Sequence, residues 1–316
     1  MRINRYSVRS IATLLALGIG LAACASPEPT AQDGTTAAGM RAVILGTGTP
    51  NADPDRSGPA TAIIVGNTAY LVDAGPGVVR RAAAANQSHD LPGLAPSRLR
   101  HVFLTHLHSD HTLGLPDVML GNWVLDRNFP LEVYGPPRTQ ELTDGIVSAW
   151  AADLEIRTGG LEPHSEPDYR AIVTEVAPGV VYRDDSVTVE AIPVPHAEWP
   201  YAFGYKFTSG GRTIVISGDT RPSEALVEAC SGCDVLIHEV YSAEAWERRE
   251  PVWQAYHAKA HTSTVELAAL AQRAQPKLLV LHHQLYWGAT DADLLREIRE
   301  AGYTGEVVSA SDLDIY

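Results

Sequence analysis

A chain of 316 residues, 45% of them hydrophobic, is long and apolar enough to bury one large core or two modest ones, and a single catalytic domain is the simpler organisation. Its formal net charge of −14 counts against a nucleic-acid partner, because a phosphate-backbone binder carries a basic face. Net charge is a coarse filter, since bound metals or a local basic patch still attract anions.

The first residues read as an address, not as part of the fold. Arg2, Arg5 and Arg9 precede the apolar run Ile11 to Leu21, the basic and hydrophobic regions of an export signal. That run is too short for a permanent bilayer-spanning helix, which needs about 20 residues. Leu21-Ala22-Ala23-Cys24 resembles a bacterial lipobox, in which cleavage before the cysteine leaves it as a lipidated N-terminus; a conventional signal peptide with an incidental cysteine is the alternative. Cleavage there would take the net charge to about −17. Ala25 after the cysteine favours, by that resemblance and in a Gram-negative cell, the outer membrane. The expected organisation is a lipoprotein signal peptide over 1–23, a flexible tether over 24–39 and a catalytic domain over 40–316. The expected location is outside the cytoplasm, on the outer membrane facing the periplasm, with lipidated Cys24 as the membrane contact.

From Met40 onward short apolar runs alternate with helical stretches. Arg41 to Leu45, Thr61 to Val65, Ala69 to Val72 and His101 to Thr105 read as strands, rich in Val, Ile and Leu and bounded by Gly, Pro or Asn. Further strands are expected at Leu131 to Tyr134, Val187 to Pro193, Tyr201 to Phe207, Thr213 to Ser217, Val235 to Glu239 and Leu278 to Leu281. Helices are expected over about 76–86, 114–126, 138–154, 222–230, 264–274 and 291–301. The fifth opens on Ser263, three residues before Glu266, the spacing of a capping box. The mixture is α/β, with early strands paired as hairpins and later ones separated by helices. Gly46-Thr47-Gly48-Thr49-Pro50 follows the first strand but lacks the third glycine of a dinucleotide fingerprint and the Lys-Ser/Thr of a P-loop, so it reads as a tight turn near a site. Cys230 and Cys233 leave two possibilities open, a local disulfide or two thiols; neither has a Cys or His at zinc-finger spacing.

The unusual chemistry sits in Thr105-His106-Leu107-His108-Ser109-Asp110-His111, a loop between a strand and a helix where side chains can converge. One histidine after a strand is ordinarily structural. Three imidazoles and a carboxylate in six positions are different: without a metal they would be desolvated for little return, and together they suit zinc or its neighbours with no thiolate needed.

On this motif the sequence resembles the metallo-β-lactamase-fold superfamily, whose signature is His-x-His-x-Asp-His after a strand. The resemblance implies an α/β fold built as a four-layer αββα sandwich and two divalent metal ions, zinc being the expected one. His106, His108 and His196 would hold the first metal, Asp110, His111 and His283 the second, and Asp219 would bridge both. His283 is preferred to His282 by aligning Leu279-Val280-Leu281-His282-His283 with the family's apolar run. The resemblance extends to the ribonuclease Z and arylsulfatase-like branch through Gly46 to Pro50, His111-Thr112-Leu113-Gly114-Leu115-Pro116, Tyr134-Gly135-Pro136-Pro137, Ala202-Phe203-Gly204-Tyr205, His238-Glu239 and His261-Thr262-Ser263. In that branch a histidine such as His261, supported by a glutamate such as Glu239, gives a proton to the leaving group. Asp110, His261 and Glu239 are therefore the residues expected to carry the reaction, an attack by hydroxide shared between the metals. Asp73 is either the partner that orients a ligating imidazole or a buried turn-forming aspartate.

One departure bears on substrate. Ribonuclease Z usually inserts a tRNA-gripping arm between the motif histidine and the bridging aspartate, yet His196 and Asp219 lie only 23 positions apart. With the export signal and the acidic balance, this points to an exported hydrolase of a small-molecule ester, a phosphodiester or an aryl sulfate. A lactonase or β-lactamase-type acyl hydrolase is the first alternative, opposed by Asp219 where one lactamase subclass has a cysteine and by Leu113 before Gly114. A binding lipoprotein that keeps the fold is the non-enzymatic alternative. Trp199, Tyr201, Trp253, Tyr256, Tyr286 and Trp287 lie near the motifs, either as an aromatic wall for substrate or as core. A homodimer is compatible with the sequence.

Overall fold

The computed structural model describes residues 39–162 and 168–316; the expected signal peptide, Cys24 and nearly all of the tether lie outside the described residues. Two mixed sheets face each other. In the first, β1 (Arg41–Gly46), β2 (Ala60–Val65) and β3 (Thr68–Val72) form an antiparallel meander, and β4 (His101–Phe103), β5 (Leu131–Gly135) and β6 (Ala171–Glu175) continue it in parallel. In the second, β7 (Gly179–Arg183), β8 (Thr188–Pro193), β9 (Phe203–Ser209) and β10 (Arg212–Ile216) are antiparallel, while β11 (Val235–Tyr241), β12 (Leu278–Leu285) and β13 (Val307–Ser309) add in parallel beside β10.

The period-2 geometry of a strand explains why these runs are apolar on both sides. Along β1, Ala42 and Ile44 join Tyr70, Phe103, Tyr205, Phe207 and Ile237 in the core between the sheets, while Val43 and Leu45 point the other way. That outward side packs on α1 (Val78–His89) and on the helices α4 (Thr139–Ala149) and α5 (Ala151–Gly159). The far side of the second sheet is covered by α6 (Glu224–Cys230), α9 (Thr264–Ala274) and α10 (Asp291–Glu300). The four layers run helix, sheet, sheet, helix, as the resemblance implies. No helix among the described residues is long and apolar enough to cross a membrane.

Several expectations need correction. Strands β6, β7 and β13 were not expected; they lie at or next to sheet edges with half or more of their side chains outside the core, so their apolar signal is thin. The helix expected at 138–154 breaks at Trp150 into α4 and α5. The one expected at 114–126 is a π-helical turn, Asp117–Gly121, leading into a short α3 (Asn122–Val124). The motif loop itself contains a helical turn, α2 (Ser109–Thr112), and α7 (Ala243–Glu247) and α8 (Pro251–Ala260) were also missed. Pro251 at the first position of α8 was the available signal for it. Cys230 and Cys233 form a disulfide at the end of α6, which resolves the open choice between bond and thiols.

The capping box is present: Glu266 N–H donates to Ser263 Oγ at 3.2 Å and Ser263 N–H to Glu266 Oε2 at 3.0 Å. Ser263→Ala is expected to lower unfolding stability by about 1 kcal/mol, read as a shift in denaturant midpoint with unchanged slope.

Candidate metal centre

The side chains singled out by sequence meet at one end of the sandwich, and most of them follow the carboxyl end of a strand. Asp73 follows β3, the segment His106 to His111 follows β4, His196 follows β8 and Asp219 follows β10. Two glycines make this possible. Gly218 turns the chain with φ of 61° before Asp219, and a Cβ on Gly114 would sit 2.3 Å from the Gly75 carbonyl oxygen, so only glycine lets the motif loop lie on the β3 turn. His283 is aimed by a bulge: Glu239 pairs with His282 and Val240 with Gln284, leaving His283 as the extra residue with φ of 47°. His282 instead donates through Nε2 to the Gly46 carbonyl oxygen at 2.8 Å, so that nitrogen carries its proton. This separates the two histidines and puts the Gly46 turn against the site.

Three groups of ligand atoms result among the described residues. His106, His108, His196 and Asp219 form one, Asp110, His111 and His283 a second, and Asp219, His261 and His283 a third that shares a residue with each, all with their ligand atoms within 4.8 Å of one another. In the first, His108 Nδ1 is 2.9 Å from His106 Nε2 and 3.2 Å from His196 Nε2, and Asp219 Oδ2 lies 3.9 and 4.0 Å from those two Nε2 atoms. In the second, Asp110 Oδ2 is 3.3 Å from His283 Nε2 and 3.6 Å from His111 Nε2. Asp219 faces this group too, Oδ1 at 3.4 Å from His111 Nε2 and Oδ2 at 3.6 Å from His283 Nε2. A tetrahedral zinc with bonds near 2.1 Å would space its ligands by roughly 3.4 Å, inside this range.

Most of the outward nitrogens are fixed by partners, while His283 Nδ1 is buried without a hydrogen bond. His111 Nδ1 is 2.8 Å from Asp73 Oδ2, His196 Nδ1 donates to the Ala260 carbonyl oxygen at 2.7 Å, and His106 Nδ1 is 3.0 Å from Thr105 Oγ1. The Thr105 hydroxyl in turn donates to Asp73. Asp73 thus orients two imidazoles, one directly and one through Thr105, beyond what the sequence required of it. Inward, His111 Nε2 and Asp219 Oδ1 are buried without a hydrogen bond, an arrangement a cation would satisfy.

Electrostatics agree with that fit. Burial lowers His106 well below the ordinary imidazole value, His108 to about 4, and His196 as well, so the first group offers neutral imidazoles. Burial would lower His111 and His283 too, but Asp219 outweighs it, with Asp73 at His111 and Asp110 at His283, and holds both above the usual value. Burial acts to raise Asp219, yet His283 and His111 keep it well below the carboxylate range. Protons therefore supply the positive charge that a metal would replace.

His261 closes the site, delivered by the end of α8. Its Nδ1 is 3.3 Å from Glu239 Oε1 and 3.9 Å from Asp219 Oδ2. Burial pushes His261 down to about 4 and, with Asp219, pushes Glu239 well up. Glu239 Oε1 accepts the backbone N–H groups of Thr220 and Thr262 at 3.2 and 3.0 Å, which pins the loops carrying Asp219 and His261 to one carboxyl. Trp199 was expected only as wall or core. Its indole N–H donates to His108 Nε2 at 2.8 Å, a contact to the motif that spacing could not show.

Asp73→Asn is expected to weaken zinc affinity by about 10- to 100-fold, measured by competition with a chelator. Affinity should also fall as pH drops from about 8 to about 6, because His111 and His283 hold their protons more tightly than ordinary histidines and must release them. Ligation through His108 Nδ1 would move that ring's proton to Nε2, donor against the Trp199 donor. Zinc addition should therefore change tryptophan emission, and Trp199→Phe should remove that change.

Comparison with known proteins agrees with the geometry. Residues 68–284 match the beta-lactamase superfamily domain. The chain is 33% identical over 286 residues to a ribonuclease Z of Mycobacterium bovis, covering 87% of this chain and 96% of that one. It is 33% identical over 276 residues to a ribonuclease Z of Mycobacterium marinum, covering 85% and 95%. Among solved structures, a metallo-beta-lactamase fold protein of Bacillus subtilis superposes with a TM-score of 0.68 at 16% identity, covering 88% of this chain and 99% of that one. The short form of human tRNase Z superposes at 0.63 and 22%, covering 87% and 98%. The two-sheet sandwich is thus the metallo-β-lactamase fold, its His/Asp clusters fit divalent metal ions, and the chain belongs to the metallo-β-lactamase superfamily of metal-dependent hydrolases, in the branch of its ribonuclease Z relatives.

Proposed function

We propose that the chain is a zinc-dependent phosphodiesterase for small esters, exported by residues 1–23 and anchored through Cys24. The observation that carries the reading is Asp219, one carboxylate facing both ligand groups with His261 3.9 Å away. Two divalent ions held there would supply Lewis acidity to water and to an ester's non-bridging oxygens. His261 sits where a departing oxygen can take a proton, Glu239 fixes its loop, and Asp73 holds His111 and, through Thr105, His106 in ligating orientation.

Kinship with ribonuclease Z proteins supports phosphorus over sulfur as the centre attacked. The acidic balance and the span between His196 and Asp219, filled by β9 and β10 alone, support a small substrate over tRNA. The Cys230–Cys233 disulfide supports an oxidising compartment, where such bonds persist.

The zinc-loaded protein should hydrolyse bis(p-nitrophenyl) phosphate at least about 100-fold faster than p-nitrophenyl sulfate, a lactone or a β-lactam. A lactone or β-lactam turned over faster would move the assignment to acyl hydrolysis. Asp219→Ala should lose bound metal and activity together, and a variant that kept both ions at full rate would end the two-metal reading. His261→Ala should cost about 10²- to 10⁴-fold on alkyl esters, which need a proton on leaving, and little on p-nitrophenyl esters. Labelled palmitate should enter the wild-type chain in cells and not Cys24→Ser.

A further inference from the structure

A cavity of about 560 Å³ opens beside the metal centre, lined by Leu107, Leu142, Ile146, Trp150, Trp199 and Tyr201 among others. We propose that it seats a neutral aromatic arm of the ester substrate, making it the specificity pocket of the hydrolase; the assignment rests on the hydrolytic reading of the adjoining centre. Four observations carry it. The pocket adjoins the centre, because Leu107 on its wall stands between His106 and His108 in the chain, and Trp199 both walls the pocket and touches His108 at 2.8 Å. The same indole borders a smaller recess of about 210 Å³ that it shares with His108 and Tyr256, so it separates the large cavity from the motif.

The lining carries no net charge to hold an ion. Arg138 and Glu141, the only charged residues on it among those described, neutralise each other through two contacts of 2.8 and 3.0 Å. Trp150 and Tyr201 on its wall are 43% and 51% exposed, large apolar surface left open beside a reactive centre. Finally, Gly145 lies within α4 on the cavity wall, and a Cβ there would meet nothing within 4 Å. A side chain there would meet no steric obstacle and would favour the helix, so it would project from the cavity wall into its open space. The volume falls in the range of small-molecule sites and admits one or two fused rings.

The test compares p-nitrophenyl phenylphosphonate with p-nitrophenyl methylphosphonate on the full-length zinc-loaded enzyme, since the two share a leaving group and differ only in the arm. The phenyl compound should be preferred by about 10- to 100-fold in kcat/KM. Gly145→Leu, which adds a helix-favouring side chain in free space, should cut that ratio at least tenfold, and Trp150→Ala should cut it several-fold. Binding of 2-naphthol, followed by tryptophan fluorescence, should be lost in Gly145→Leu, with zinc content and unfolding midpoint confirming the variant's fold. An unchanged ratio in Gly145→Leu overturns the proposal, as does naphthol binding that is lost without any effect on the ratio. If neither phosphonate is hydrolysed, the phosphodiesterase reading fails separately, and naphthol decides the cavity: binding abolished by Gly145→Leu keeps its aromatic ligand class, and binding unaltered removes it.

Discussion

A carboxylate 3% exposed to solvent must be matched by positive charge at once, and Asp219 imposes that demand on everything around it. Its two oxygens face histidines contributed by both sheets: His106 and His111 come from the loop after β4, His196 and His283 from the second sheet. The chain answers with imidazoles on every side and leaves His111 Nε2 and His261 Nδ1, which face it, without hydrogen bonds. Such an arrangement is unstable as a purely structural feature and sensible as a cation cradle. Because ligands belong to both sheets, a bound metal would also tie the two halves of the sandwich together, adding to stability in proportion to its affinity.

The division of charge within the cradle follows from position. The first group is crowded by rings and burial, so its imidazoles are neutral; the second has Asp73, Asp110 and Asp219 beside it, so its imidazoles hold protons. Asp73 has the wider reach, because its oxygens serve both His111 and the Thr105 hydroxyl that meets His106. Glu239 plays a parallel part on the other side, holding two backbone N–H groups whose loops deliver Asp219 and His261.

Most of this centre was legible because metal ligation forces residue types that composition makes rare. His106 to His111 announced themselves by density, and His196, Asp219 and His283 by their places after apolar runs in a resembling family. The strands with two buried faces, such as β1 and the start of β11, were legible for a similar reason, since nearly every side chain along them must be apolar. What stayed hidden depends on contacts between distant segments. The Trp199 indole reaches His108 across 91 positions, and the cavity beside Trp150 is walled jointly by α4, Leu107 and the Trp199 to Tyr201 segment, which lie far apart in the chain. Edge strands β6 and β13 answer to solvent as much as to core, and so left little trace in sequence.

The bulge in β12 gives the second ligand group an unusual dependence. His282 and His283 are chemically identical, and what assigns one to the Gly46 carbonyl and the other to the cradle is a single surplus residue in the ladder with β11. The ligand is thus specified by counting, not by identity. A substitution elsewhere in β12 would leave the count alone, whereas a one-residue deletion or insertion between Leu281 and Gln284 would straighten or lengthen the ladder and hand the position to a neighbour. In this strand it is the register, more than the spelling, that chooses the ligand.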